Sequence, residues 1–240
     1  MESTQPQHTN RQYEEDLRGL RAGLLKMGGL VERQIAEAME ALVGRDSDHA
    51  HEVILRDDEV NLMDTDNDEQ CIRLLALHQP TASDLRFITT GLKITTDLER
   101  IGDNAVNICE RALELNEVPQ LKPYIDLPRM AAIAQTMVKD CIDAFMRGDT
   151  DLADQVIARD DEVDVLNYQV YRELLSYMAE DPHTIASATR LLFVSKYLER
   201  IADHATNIAE MVTYMVKGEM IRHMESKKRG HESGGGEELP

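Results

Sequence analysis

The segment "DLERIGDNAVNICE", residues 97–110, returns one hundred residues later as "YLERIADHATNIAE", residues 197–210, with Glu, Asp, Asn and Glu at identical spacing. At about 100° per residue on a helix, Asp103, Asn107 and Glu110 fall within about 80° of Glu99. Leu98, Ile101, Ala105, Ile108 and Ala112 gather nearly opposite. The spacing therefore predicts an amphipathic helix with one stripe for a core and a line of oxygen-bearing side chains on its other side. The second copy repeats both faces, with Glu199, Asp203, Asn207 and Glu210 set against Leu198, Ile201, Ala205 and Ile208.

The duplication extends upstream. "VILRDDEVN" at 53–61 matches "VIARDDEVD" at 156–164, an offset of 103, so the second copy loses a net three residues before the opening segment. That loss fits a shorter connection in "SYMAEDPHTIASATR" than in "LLALHQPTASDLR". Periodicity and punctuation place helices at 12–44, 47–78, 82–116, 128–147, 150–180 and 184–217. "GRDSD" at 44–48 and "RGDTD" at 147–151 supply a glycine stop, followed by Ser47, Thr150 or a neighbouring Asp as the next start. The expectation is an all-α fold of two tandem, pseudo-symmetric three-helix bundles. The first spans 11–116 and the second 128–217, joined by a proline-containing linker at 117–127. Flexible ends are expected at 1–10 and 225–240.

Composition narrows the function. A formal charge of −19 over 240 residues repels phosphate backbones and anionic lipid, so nucleic acid is an unfavourable partner. No apolar run reaches the roughly 18 residues of a membrane span, and the start lacks the pattern of a signal peptide, so a cytoplasmic location is expected. Cys71, Cys109 and Cys141 are scattered and odd in number, which fits reduced packing residues. No phosphate-cradling glycine loop or nucleophile elbow is present. The one Glu-x-x-His pair, Glu180 and His183, is broken by Pro182, which disfavours a di-iron oxygenase.

The paired acids carry the remaining signal. Carboxylates at i and i+4 repel by a few tenths of a kcal/mol when unpaired, and Arg100 and Arg200 point elsewhere on the wheel. A bound cation is the direct way to relieve this. The second helix of each half adds Asp57 and Asn61, or Asp160 and Asp164, again at i and i+4. Oxygen-only donors suit Mg²⁺, Mn²⁺, Ca²⁺ or iron and argue against zinc held by Cys and His. The plain alternative is a solvated face. The acidic run Asp58, Glu59, Asp64, Asp66, Asp68 and Glu69 is expected on the outer side of its helix, His204 on the surface, and Asp84 with Arg86 in a local cap or ion pair.

The chain from about 11 to 217 resembles the PhoU family of phosphate-uptake regulators. The matching stretches are "MGGLVERQIAEAMEAL", "RDDEVN" and "SDLRFITTGLKITTDLERIGDNAVNI", then "RDDEVD" and "YLERIADHATNI" in the second half. The resemblance implies two similar three-helix bundles whose E(D)-x-x-x-D motifs hold metal ions (Mg, Mn, Fe or Zn). Here the motifs fall on Glu99 and Asp103, on Glu199 and Asp203, and on Asp160 and Asp164. Asp57 and Asn61 depart by one carboxylate, so the second half is expected to bind ions better, while Asn107 and Asn207, standing where a third carboxylate can stand, reduce the negative charge at both sites. The family also implies a regulator rather than an enzyme, restraining phosphate uptake and phosphate-regulon signalling. Its partners would be the phosphate ABC transporter ATPase and the sensor histidine kinase, with a homodimer as assembly and membrane association only through those partners. The alternative is a hydrolase of phosphate esters that uses carboxylate-bound ions.

Overall fold

The computed structural model describes residues 6–218, among which there are six α-helices and no strand. They are α1 (Pro6–Gly44), α2 (Ser47–Leu77), α3 (Ala82–Asn116), α4 (Asp126–Arg147), α5 (Thr150–Glu180) and α6 (Ile185–Lys217), with a single 3₁₀ turn, Pro182–Thr184, before α6. Helix α1 starts well ahead of the expected residue 12, so residues 6–10 are helical where a flexible end was expected. Pro6 is suited to a first turn, because its fixed φ is helical and its missing N–H is an orphan there anyway. The flexible ends expected at 1–5 and 225–240 lie outside the described residues.

Side-chain caps mark the starts of α2, α3 and α5. Asp46 accepts from the His49 N–H at the start of α2, and Asp149 accepts from the Asp151 and Leu152 N–H groups at the start of α5. Thr81 caps α3 by accepting from the Asp84 N–H. At the end of α4, Gly148 takes the left-handed conformation (φ 64°) that glycine adopts without a steric penalty. The first half differs from the expected glycine stop. Gly44 is still helical, and the left-handed residue is Arg45 (φ 54°), the counterpart of Gly148 at an offset of 103. A non-glycine residue costs about 1–2 kcal/mol there. Arg45 offsets that strain by placing its guanidinium over the end of α3, donating to the carbonyls of Leu115 (3.0 Å), Asn116 (3.0 Å) and Val118 (2.6 Å).

Within each half the three helices pack pairwise, and the halves meet through α1 against α4 and α3 against α6. The bundles therefore sit side by side, with α2 and α5 on the two outer flanks. One hydrophobic core runs through both halves. At the seam, Phe87 of α3 stacks on Phe145 of α4 with centroids 4.6 Å apart. Gly28 lets α1 approach α4, since a methyl there would meet the Ile142 side chain at 3.1 Å. The predicted stripe of Leu98, Ile101, Ala105, Ile108 and Ala112 is fully buried, as are Leu198, Ile201, Ala205 and Ile208.

Among the described residues, polar ties from Arg86, His204 and Arg190 cross the seam; Asp84 forms the expected local cap with Thr81, whereas Arg86 and His204 depart from the sequence reading. Arg86 does not pair with Asp84; its Nε donates to the Met215 carbonyl of α6 at 2.9 Å, while Asp84 accepts from the Thr81 hydroxyl. His204 is not a surface residue, because it is partly buried with Nδ1 2.8 Å from the Asp97 carboxylate of α3. Arg190 of α6 adds a 2.6 Å pair with Glu114 of α3.

Arg45→Ala removes three carbonyl contacts while keeping the strain, and it is expected to lower unfolding stability by about 1–3 kcal/mol. Arg45→Gly loses the same contacts but relieves the strain, so urea denaturation should place it between Arg45→Ala and the wild type.

Candidate functional site

In the second half, α5 brings Asp160 and Asp164 to the crease facing α6, which carries Glu199 and Asp203. Asp160 is partly buried, and its Oδ1 is shielded from solvent without a hydrogen-bond partner among the described residues. Its carboxyl is pushed up to about 6, first by burial and then by repulsion from Asp203, Asp164, Asp161 and Glu199. Asp203 is also raised, by desolvation and by Glu199, against the lowering effect of Lys196. Lys196 forms an ion pair with Glu199 one turn away. Four carboxylates thus share one crease with a single lysine as counter-charge.

The first half has the same frame with more internal compensation. Asp57 accepts from Gln34 Nε2 at 3.1 Å and from Asn61 Nδ2 at 3.2 Å. Burial nevertheless leads in raising its carboxyl, and the charge of Asp103 adds to the effect. Glu99 is raised by burial and by Asp103, against Arg100. Arg100 corrects the wheel argument. Its long side chain swings back over the acidic line to lie 3.3 Å from Glu99 and 3.2 Å from Asp103. A wheel angle locates Cβ, whereas a guanidinium can reach a residue three positions on.

The acidic run on α2 also needs correction. Asp58, Glu59, Asp66 and Glu69 are exposed as expected, but Asp64 and Asp68 turn inward and are partly buried. Burial raises both carboxyls, and Asp64 repels Asp68. Their positions follow Asp57 at i+7 and i+11, a helical phase hidden by the surrounding run of acids. Asn107 and Asn207 sit one turn beyond the acids, partly buried, and no hydrogen bond among the described residues joins them to the carboxylates. The three cysteines are buried, and burial pushes the thiols of Cys71 and Cys109 up to about 12, which leaves them inert at neutral pH.

Among the described residues no three His, Cys, Asp or Glu side chains already converge as a metal group. The donors lie along the creases, and side-chain rotation would be needed to gather them. The second-half residues suit a hard cation chemically, since they offer oxygen only, repel one another and include the unpartnered Asp160 Oδ1. The candidate holders are Asp160, Asp164, Glu199 and Asp203, and in the first half Asp57, Glu99 and Asp103 with Asn61.

A twice-repeated three-helix unit with an acidic crease in each copy defines a duplicated helical bundle. The PhoU domain profile matches residues 24–112 and again 127–212. The chain is 43% identical over 218 residues to the phosphate-specific transport system accessory protein PhoU homolog of Pseudomonas aeruginosa, covering 90% of each. It is 45% identical over 216 residues to the homolog of Aquifex aeolicus, covering 90% of this chain and 98% of the relative. The crystal structure of PhoU from Pseudomonas aeruginosa superposes with a TM-score of 0.83 at 43% identity, covering 86% of this chain and all of that one. The regulatory protein PhoU from Streptococcus pneumoniae superposes at 0.80 with 28% identity, covering 87% of this chain and 99% of that one. The chain belongs to the PhoU family, and its role is that of an accessory, regulatory protein in phosphate transport.

Folded Asp160 keeps its proton up to about pH 6, whereas the unfolded chain releases it near the ordinary value of 3.8. Between those values the folded state binds more protons. Its contribution to stability is therefore present below pH 3.8 and lost as pH rises through about 6. Asp160→Asn removes the buried charge, so at pH 7 without added metal its melting temperature should rise by about 2–4 °C, as a change near 1 kcal/mol gives in a chain of this size. Calorimetry at pH 5 and pH 7 checks this, and the gain should be smaller at pH 5.

Proposed function

We propose that this protein restrains phosphate uptake and phosphate-regulon signalling as a metal-binding cytoplasmic adaptor. It acts as a homodimer between the ATPase of the phosphate ABC transporter and the sensor histidine kinase. The observation that carries the reading is the pair of acidic creases, one on each flank, in a chain whose relatives are named for the phosphate-specific transport system. No described helix is long and apolar enough to cross a membrane, which agrees with recruitment to the membrane through partners. The hydrolase alternative gains no support from membership in a family of accessory proteins.

The creases suit a regulator because their state depends on a ligand. Without a cation, the carboxylates of Asp160, Asp164, Glu199 and Asp203 repel one another across α5 and α6. Mg²⁺, Mn²⁺ or iron would supply positive charge there, drawing the side chains together and leaving a less negative flank. A partner that prefers one of these states biases the protein toward it, and the protein biases the partner equally. The first-half crease, already compensated by Arg100, Gln34 and Asn61, responds less.

The test uses solubilised membranes that contain the transporter and the kinase. Full-length protein is expected to recover both, and the variant D160N/D164N/E199Q/D203N to recover at least tenfold less while keeping its helical circular dichroism. Elemental analysis of gently purified protein should find more bound metal than the variant carries. Recovery of neither partner, together with normal phosphate control in a deletion strain, overturns the adaptor reading.

A further inference from the structure

The repeat supplies an internal comparison for each crease. The Glu37–Arg56 ion pair of the first half recurs as Asp140–Arg159, each at 2.7 Å, which fixes the offset of α1 and α2 on α4 and α5 at 103. In that register, with α3 on α6 at 100, Asp57, Glu99 and Asp103 match Asp160, Glu199 and Asp203. Three neighbouring positions differ: Gln34 against Met137, Gly102 against Ala202, and Asn61 against Asp164. Met137 and Ala202 are fully buried, so the second-half acids rest on hydrocarbon. Beneath the first-half acids lies an amide.

That amide is half satisfied. Gln34 is only 2% exposed, and its Nε2 donates to Asp57 Oδ1. Its carbonyl Oε1 is buried without any hydrogen-bond donor among the described residues. Such an oxygen costs about 1–3 kcal/mol when left unmet. Gly102 makes the arrangement possible, because a Cβ there would press at 3.2 Å on both Gln34 Oε1 and Asp57 Oδ1. Two oxygens of different helices therefore approach the same spot on α3, beside Val60 Cγ1, with Glu99 nearly one turn before Gly102 and Asp103 directly after it. Gln34 Oε1 and Asp57 Oδ1 are both acceptors there, and the carboxylates of Asp57, Glu99 and Asp103 outnumber Arg100, a charge balance that favours a cation.

Building on the metal-binding reading above, we propose that the first half holds a hard divalent cation in a mixed site of its own, in which the Gln34 carbonyl oxygen from α1 joins the Asp57 carboxylate. The second-half site lies among carboxylates alone. The first site carries less negative charge and binds more weakly, and its neutral oxygen suits Mg²⁺, Mn²⁺ or Ca²⁺. Gln34 escaped the sequence reading because it sits on the first helix, outside every acidic motif, and the visible trace is its divergence from Met137 together with that of Gly102 from Ala202.

Mn²⁺ binding to the full chain, followed by calorimetry and by electron paramagnetic resonance of the free ion, tests this. The wild type should show two classes of site, and D160N/D203N should retain only the weaker one. In that background Gln34→Met and Gly102→Ala should each weaken the remaining class at least tenfold, with unchanged helical circular dichroism. Gln34→Glu keeps an oxygen but loses the N–H donor, so it should bind Mn²⁺ at least as tightly and gain melting temperature from it. Unchanged affinity in Gln34→Met, or loss of binding in Gln34→Glu that remains folded, overturns the proposal. Absence of Mn²⁺ binding to the wild type at either crease overturns the underlying metal reading instead.

Discussion

The structure depends on a compromise made once in each half: carboxylates are held partly buried in the crease between two helices so that the opposite side of the same helix can be fully buried. Helices α3 and α6 each pack against both helices of their own half and against one another. Burying a side chain such as Leu98, Ile101 or Ile108 contributes about 1.5–3 kcal/mol. Repulsion between acids at i and i+4 costs a few tenths of a kcal/mol. The core therefore sets the rotation of these helices, and the acids take the environment that rotation gives them. The raised carboxyls of Glu99, Asp203 and especially Asp160 are the consequence.

The features legible in the sequence were those that repeat along one helix. The stripe on α3 and α6 was readable because its period is that of the helix, and the starts of α2, α3 and α5 were readable because Asp or Thr caps announce them. The seam between halves was not. Arg86 and Met215, Asp97 and His204, and Glu114 and Arg190 are far apart along the chain, and no local pattern ties them together. The register between copies does hold a trace of one tie, because Asp97 and His204 stand where the other copy has Tyr197 and Asn104. Inward-turned Asp64 and Asp68 were hidden for a different reason: in an almost continuous acidic run, composition masks phase. Arg100 and Arg45 show that long side chains escape positional reasoning, the first by reaching back over its neighbours and the second by repaying backbone strain with contacts to another helix.

The two copies have diverged where a duplicated regulator would gain from having two unlike responses. The second half keeps four acids above hydrocarbon with Lys196 as counter-charge, so its electrostatic state is poorly compensated and open to change by a ligand. The first half surrounds Asp57 with amides from Gln34 and Asn61 and lays Arg100 across Glu99 and Asp103. The first-half flank is therefore partly compensated and the second-half flank less so. The side-by-side packing leaves both available, because α2 and α5 lie on the outside of the pair.

The claim that the creases are cation sites is tested most directly by anomalous diffraction at the manganese edge from crystals grown with Mn²⁺. The account predicts a strong peak in the α5–α6 crease against Asp160 Oδ1, with Asp164, Glu199 and Asp203 turned toward it, and a weaker peak beside Asp57. Anomalous density absent from both creases, in a lattice that leaves them open to solvent, would contradict it.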